Sequence, residues 1–203
     1  MKKIVLVSLL FISAISFAQF PIVKDTVRKA GIYKSFEEFR DNKPSIKLEN
    51  KIISKPFRYG SYGNDTMSCF ALDIDKQISK KMGDVFGFCD GICVYLIASE
   101  GESKVHKYNF CKVEYIGKLC YYYTLSSASF NAALTASGFQ YPTASTNQRS
   151  VVVIDLSTGS INLLSKRYLK EILSQKPELL QKFNALKSSD QNLKQFLIEY
   201  LHN

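Results

Sequence analysis

The sequence predicts an α+β fold, an antiparallel β meander with a short N-terminal helix and a C-terminal helical cluster. Two patterns predict it. Residues 51–164 alternate apolar and polar side chains in runs that glycine-containing turns interrupt, as half-buried antiparallel strands do. Residues 165–203 instead repeat apolar side chains at the spacing of amphipathic helices. We expect a single domain over residues 19–203, with about six to eight strands.

Residues 1–18 have the pattern of a signal peptide. Two lysines precede an uncharged apolar run from Ile4 to Phe17, and the small residues Ser16 and Ala18 precede a cleavage site. The apolar run is shorter than the roughly 20 residues that a membrane-spanning helix needs, and no later stretch reaches that length. We therefore predict cleavage after Ala18, no transmembrane segment, and a periplasmic or secreted protein.

The basic residues are scattered along the chain. The formal net charge is +9, but the densest clusters are short, such as Lys80-Lys81 and Lys166-Arg167. A nucleic-acid interface usually shows a basic stripe or patch. The sequence therefore predicts no nucleic-acid partner, and the positive charge favours solubility and weak attraction to anionic envelope polymers.

The first predicted element is a short helix. Ser35 and Glu38 have the spacing of a capping box, in which each side chain bonds a free backbone N–H group at the other residue. Phe36 and Phe39 lie three residues apart and share one face. Pro44 is expected to end the helix, which leaves one or two turns as a cover for the sheet.

Three hairpins are predicted in the β-rich region. Asp90-Gly91 lies between two apolar runs, which predicts a type I′ turn because both positions need positive φ. Gly117-Lys118 suits a type II′ turn, which takes glycine first. Ser-Thr-Gly at residues 157–159 connects the last two strands. Three successive hairpins describe a meander.

The stretch CDGIC at residues 89–93 raises the question of a redox or metal site. In a two-residue hairpin register Cys89 pairs with Ile92, so Cys89 and Cys93 belong to opposite faces of the sheet. A disulfide needs converging side chains, and a metal clip needs both thiolates on one side. We interpret CDGIC as a turn. The other three cysteines either form longer-range pairs, for example through Cys69, or are buried free thiols; they are Cys69, Cys111 and Cys120.

Three helices are predicted after residue 164. Ser165 can cap the first, Pro177 suits the first position of the second, and Ser188 with Gln191 forms a capping box ahead of the third. We expect their apolar stripes to pack against the sheet. The stripes consist of Leu169, Ile172 and Leu173, then Leu179, Leu180, Phe183 and Leu186, and finally Leu193, Phe196, Leu197, Tyr200 and Leu201.

The sequence contains no recognisable catalytic motif. It has no Gly-x-Ser-x-Gly elbow, no His-Glu-x-x-His and no phosphate-binding glycine loop. Asp73 and Asp75 share one face of a predicted strand, which is typical of a solvated surface, and a Cys and His pair would depend on His106 in a polar loop. We predict no cofactor, no metal site and no enzymatic activity. The alternative is a hydrolase whose site assembles only in three dimensions.

Two tyrosines are candidates for ligand binding. Tyr121 and Tyr123 share a face of their strand, and the hairpin register sets them opposite Glu114 and Lys112. These polar partners indicate an exposed face, on which the tyrosines could stack on sugar rings. Cross-strand packing is the alternative role, and the lack of tryptophan counts against a dedicated glycan module.

The second binding candidate is the uncharged stretch from Leu119 to Gln148, which spans thirty residues. Connections longer than about 12 to 15 residues are uncommon in compact domains and often functional. An uncharged, Ser- and Thr-rich surface could desolvate against a partner at little electrostatic cost; a loop without a partner is the alternative. The candidate ligand-binding residues in this stretch are Phe130, Phe139 and Tyr141, beside Leu134.

Five segments together carry a resemblance to other proteins. They are GIYKSFEEFRDNKPS at 31–45, FGFCDG at 86–91, KVEYIGKLCYY at 112–122, VIDLSTGSINLLSKRYLKEIL at 153–173 and PELLQKF at 177–183. The chain resembles a family of exported Bacteroidetes proteins with a domain of unknown function. The resemblance implies export and the fold, and it implies no activity. We expect a non-enzymatic protein that binds a protein or polysaccharide partner in the cell envelope.

Overall fold

A computed structural model describes residues 27–59, 65–97, 104–126, 148–187 and 191–202. These residues form an antiparallel sheet and five helices, which confirms the predicted α+β class. The predicted signal peptide and its cleavage site lie outside the described residues. None of the helices in the described ranges combines the length and the apolar character needed to cross a membrane.

The described residues contain nine strands, one more than the upper end of the expected range. The strands are β1 (Gly31–Tyr33), β2 (Ile52–Tyr59), β3 (Asp65–Leu72), β4 (Gly87–Cys89), β5 (Val94–Ile97), β6 (Phe110–Tyr115), β7 (Leu119–Ser126), β8 (Gln148–Asp155) and β9 (Ile161–Leu163). The helices are α1 (Phe36–Arg40), α2 (Lys76–Met82), α3 (Lys166–Leu173), α4 (Pro177–Ala185) and α5 (Leu193–His202).

Every strand pair is antiparallel, and the order through the sheet is β1-β4-β5-β6-β7-β8-β9. Strands β2 and β3 form a hairpin off this path, and β3 joins β6 through one ladder pair, Phe70 with Phe110. Strand β6 is shared by the two halves of the sheet. Its first residues pair with β5 and β3, and its later residues pair with β7.

The buried side chains form three clusters. The first joins α1 to strands from both halves of the sheet and contains four of the five cysteines. The second packs α3, α4 and α5 against β7 and β8. The third surrounds Phe88 and Phe110 in the half of the sheet that includes β4 and β5. The C-terminal helices therefore pack on the protein's own sheet, as predicted.

Helix α1 begins at the predicted cap, but the Glu38 carboxylate does not bond the backbone N–H of Ser35 as a capping box would. Ser35 is the N-cap and accepts a hydrogen bond from the backbone N–H of Glu38. The Glu38 carboxylate accepts from the backbone N–H of Lys34 at 2.7 Å and from the Ser45 hydroxyl at 3.0 Å, so it ties the helix to the segment that follows. The helix ends at Arg40, before the left-handed Asn42, and not at Pro44.

Helix α2 was not predicted, and the strand expected to include Asp73 and Asp75 ends before them, so that assignment was wrong. Strand β3 ends at Leu72. Asp75 is the N-cap of α2, and its carboxylate accepts hydrogen bonds from the N–H groups of Gln77 and Ile78. Asp73 and Asp75 therefore do not share a strand face. The helix buries Ser79 and leaves Ile78 largely exposed, and so it lacks the apolar period that reveals a helix in a sequence.

CDGIC is a turn, as predicted, but its register and type differ from the expectation. Cys89 pairs with Val94 and not with Ile92, which leaves four residues, 90–93, in the connection. The Asp90 carboxylate accepts hydrogen bonds from the N–H groups of Ile92 and Cys93, and only Gly91 has positive φ, at 94°. An aspartate side chain that replaces a backbone turn bond explains the longer loop. All five cysteines are free thiols in this structure.

The second hairpin keeps the predicted register at one position and loses it at the next. Val113 pairs with Tyr122, which follows the expected register, but Tyr115 pairs with Tyr121 because a β-bulge lies between the two pairs. The third hairpin has the predicted Ser-Thr-Gly turn at residues 157–159 between β8 and β9.

The C-terminal helices begin near the predicted caps, with one difference. Ser165 caps α3, and Pro177 occupies the first turn of α4. Asn192 caps α5 through the N–H of Gln195, while the Gln191 amide donates to the carbonyl oxygens that end α4; Ser188 lies outside the described residues. Most of the predicted inward residues are buried or partly buried, whereas Leu186 is exposed.

Candidate functional site

Tyr121 and Tyr123 lie on the face of β7 that the C-terminal helices cover, so the expected exposure of these two side chains is wrong. Their exposed fractions are only 8% and 9%. Tyr121 belongs to the cluster of α3, α4 and α5, while its neighbour Tyr122 belongs to the cluster on the other face. Because both faces of β7 are buried, the strand has a nearly continuous apolar sequence.

The tyrosines contact one another in a short row. Tyr115 stacks on Tyr121 with ring centroids 6.2 Å apart, and Tyr121 meets Tyr123 edge to face at 6.4 Å. Burial raises the pKa of Tyr121 above its ordinary value. Tyr115 and Tyr121 therefore pack as a cross-strand aromatic pair, which was the alternative role for Tyr121, and Tyr123 continues the row along β7.

Two cations lie against the last ring of this row. The Arg149 guanidinium is 3.4 Å from the centroid of the Tyr123 ring, and the Lys194 ammonium is 4.9 Å from it. Both side chains belong to exposed residues, and no ion pair joins either to an acidic side chain among the described residues. We call Tyr123, Arg149 and Lys194 the cationic patch.

The electrostatics keep the patch positive. The neighbouring Tyr123 side chain is the largest influence on Lys194 and raises its pKa, whereas the nearby Arg149 charge lowers it by a smaller amount. Lys194 thus remains protonated at neutral pH. An aromatic ring that contacts two cations holds them in place through cation–π attraction. The patch can accept a carboxylate, a phosphate or a sulfate.

The cationic patch lies near the ends of β7 and β8 that flank residues 127–147. Ser126 and Gln148 are ladder partners, so β7 and β8 bring the two ends of residues 127–147 side by side. Arg149 is the first charged residue after the thirty uncharged ones, so its position in the sequence could have marked it as a candidate binding residue. Lys194 carried no such signal, since it comes from a helix 45 positions away in the chain. The other candidates, Phe130, Phe139 and Tyr141, lie outside the described residues.

A serine and a histidine make contact elsewhere in the molecule. Ser79 Oγ is 2.7 Å from His106 Nδ1, and this bond joins α2 to the segment before β6. Ser79 has no exposed surface, so its hydroxyl is out of reach of a substrate in this arrangement. The contact therefore serves to hold the two segments together.

A groove of about 640 Å³ lies along α4 and α5. Lys182 and Glu199 face each other across it at 2.7 Å, and the Lys176 ammonium donates to the Tyr200 carbonyl oxygen. Three charged side chains of this groove, those of Lys176, Lys182 and Glu199, thus have partners within the protein. In the part of the chain that the structure describes, no three His, Cys, Asp or Glu side chains are grouped as a metal site requires.

Comparison with known proteins gives one match. A search of curated proteins and a search of solved structures return no significant relative. The model of a family of unknown function (DUF6563) matches residues 31–203, which include every strand and helix described above. The chain therefore belongs to this family of unknown function.

Proposed function

We propose that this protein is exported and acts without catalysis, binding a protein or polysaccharide partner of the cell envelope that carries anionic groups. The proposed binding surface is the cationic patch together with residues 127–147, which connect the neighbouring ends of β7 and β8. The observation that carries the proposal is the placement of Arg149 and Lys194 on the Tyr123 ring, with no acidic partner among the described residues.

The patch suits an anionic partner for two reasons. Exposed cations without an intramolecular counter-ion gain interaction energy when they meet a carboxylate, about 1 kcal/mol per close pair in water. The neighbouring residues from 127 to 147 contribute no charge, so they neither repel an anion nor require a counter-ion when a partner covers them. The net charge of +9 adds a general attraction that brings anionic polymers toward the protein.

The burial of Tyr121 and Tyr123 changes the expected mode of binding. A ring that lies under helices and cations cannot offer a flat face to a sugar, so stacking on neutral sugar rings loses its support. Tyr123 instead positions the two cations. This arrangement favours a ligand that is recognised by its negative charge and its hydrogen-bond acceptors. An acidic protein segment and an acidic polysaccharide both have these groups.

The alternative, a hydrolase, has less support from the described residues. Ser79 and His106 share a hydrogen bond, but the Ser79 side chain is fully buried and cannot reach a substrate in this arrangement. In the groove on α4 and α5, Lys182 and Glu199 neutralise each other, and the Lys176 ammonium is bonded to a backbone carbonyl oxygen. Enzymes usually concentrate polar groups in a deep pocket where they remain available to substrate.

Replacing residues 127–146 with a short Gly/Ser linker is expected to abolish capture of an envelope partner while leaving the melting temperature nearly unchanged. The linker can close the hairpin because Ser126 and Gln148 are ladder partners. The measurement pairs thermal unfolding with pull-down from envelope extract. A control variant keeps the length of the segment and changes only Phe130, Phe139 and Tyr141 to serine. It shows how much of the binding depends on these aromatic side chains and how much on the rest of the segment.

Two outcomes contradict the role of the segment. If the linker variant unfolds or loses much of its thermal stability, residues 127–146 belong to the core. If it folds and captures the same partner as the parent chain, the segment takes no part in binding.

A further inference from the structure

Cys69 and Cys111 lie next to the point where strands β3 and β6 pair. The only ladder pair between these strands is Phe70 with Phe110, in antiparallel register. Cys69 precedes Phe70 and Cys111 follows Phe110, so the antiparallel register, continued by one position, sets the two cysteines opposite each other. Both residues are buried, with exposed fractions of 5% and 2%, and both belong to the same core cluster.

The opposed position satisfies the geometry of a disulfide. Residues that face each other on antiparallel strands have Cα atoms about 4.5 to 5.5 Å apart, within the range of about 4.4 to 6.8 Å that disulfides span. The two thiols also influence each other's ionisation, because the pKa of Cys69 is lowered and that of Cys111 is raised, in each case chiefly by the other thiol.

The other three cysteines have no cysteine opposite them. Cys120 pairs with Ile154 on β8, and Cys89 pairs with Val94 on β5. Cys93 lies in the turn and packs against a different core cluster from Cys89. Among the five thiols, the opposed pair on β3 and β6 is therefore the favoured site of oxidation.

We propose that Cys69 and Cys111 form a disulfide in the exported protein, an inference that rests on the export in the proposed function. In this step the two thiols each lose a proton and together lose two electrons, and one S–S bond forms. A small-molecule or protein disulfide accepts the two electrons and two protons and is cleaved to two thiols. Exported proteins meet such oxidants, whereas cytosolic thiols are kept reduced.

The bond would fasten the part of the sheet that has the weakest connection. The hairpin of β2 and β3 is joined to β6 by a single ladder pair, so a covalent link beside that pair holds the hairpin in place. Closing the chain between residues 69 and 111 also restricts the unfolded state. We expect the oxidised protein to melt roughly 10 °C higher than the reduced protein.

The test begins with refolding of the full chain in a mixture of oxidised and reduced glutathione, after expression in a reducing cytoplasm. Free thiols are then blocked, and the protein is digested with trypsin. The expected product joins peptide 59–76, which contains Cys69, to peptide 108–112, which contains Cys111. Cys120 and the cysteines of the turn fall on other peptides, so mass spectrometry distinguishes the Cys69–Cys111 link from every other pairing.

Matched variants separate the bond from the packing of the thiols. Cys69→Ala and Cys111→Ala should each remove the difference in melting temperature between oxidised and reduced samples. Cys120→Ala deletes a buried thiol that faces Ile154 and should keep that difference. A refolded chain that stays fully reduced, or that links other peptides, contradicts the proposal.

A parallel sample, taken from the organism's own cells with thiols blocked at lysis, tests the export on which the proposal rests. The expected result is the same linked peptide. If the link forms on refolding but the cellular protein is reduced, then export is wrong and the proposal fails with it. If the link forms in neither sample, the pairing fails while the binding function remains open to its own test.

Discussion

Phe183→Ala is expected to lower the free energy of unfolding by about 3 to 5 kcal/mol, the usual cost of removing a buried phenylalanine ring. Phe183 has no exposed surface and lies in the cluster that joins α3, α4 and α5 to the sheet. Its ring meets Phe196 of α5 edge to face, with centroids 5.0 Å apart. The substitution leaves a cavity between two helices and removes this aromatic contact.

Urea denaturation of both proteins measures the effect. Asn184→Ala is the matched control, because Asn184 is the next residue of α4 and is exposed, so a change within about 0.5 kcal/mol is expected there. A loss below about 1 kcal/mol for Phe183→Ala would mean that the helical cluster contributes little to the stability of the sheet.

Reversing both charges of the cationic patch, by Arg149→Glu with Lys194→Glu, is expected to weaken binding of an anionic polymer by at least about tenfold. Each reversal replaces an attraction of about 1 kcal/mol with a repulsion of similar size, and about 1.4 kcal/mol corresponds to a factor of ten. The fold should survive, since both residues are exposed. Polyglutamate and polygalacturonate are the probes, and neutral dextran is the reference.

The control for this pair is Lys80→Glu with Lys81→Glu. These two lysines are adjacent and exposed on α2, and their reversal changes the net charge by the same amount. Equal weakening in the two double variants would show that the polymers respond to net charge and that the patch has no special role. Separate measurement of the two probes also shows whether a peptide or a sugar acid is preferred.

The fold class was predictable because its signals are local. The alternation of side chains in strands, the Ser165 cap and the position of Pro177 each depend on a few neighbouring residues, and the structure confirms them. Helix α2 was missed because its one buried side chain is Ser79, which leaves no apolar period. The turn at residues 90–93 was misjudged because the Asp90 side chain supplies bonds that a two-residue hairpin would not need.

The candidate site was less predictable because it depends on contacts between distant residues. A local register set Tyr121 opposite polar residues, but a β-bulge and the packing of the C-terminal helices bury it. Arg149 and Lys194 reach the same Tyr123 ring only because α5 packs against β7 and β8. The opposition of Cys69 and Cys111 likewise requires the pairing of β3 with β6, which no turn between them specifies.

The most direct test of the binding proposal is a titration of the ¹⁵N-labelled protein with polyglutamate, followed by NMR. The proposal predicts that the largest shift changes fall on Arg149, Lys194 and Tyr123, together with amides of residues 127–147, and that these changes vanish in the Arg149→Glu, Lys194→Glu variant. Shift changes spread evenly over exposed lysines, or centred on Lys80 and Lys81, would contradict it.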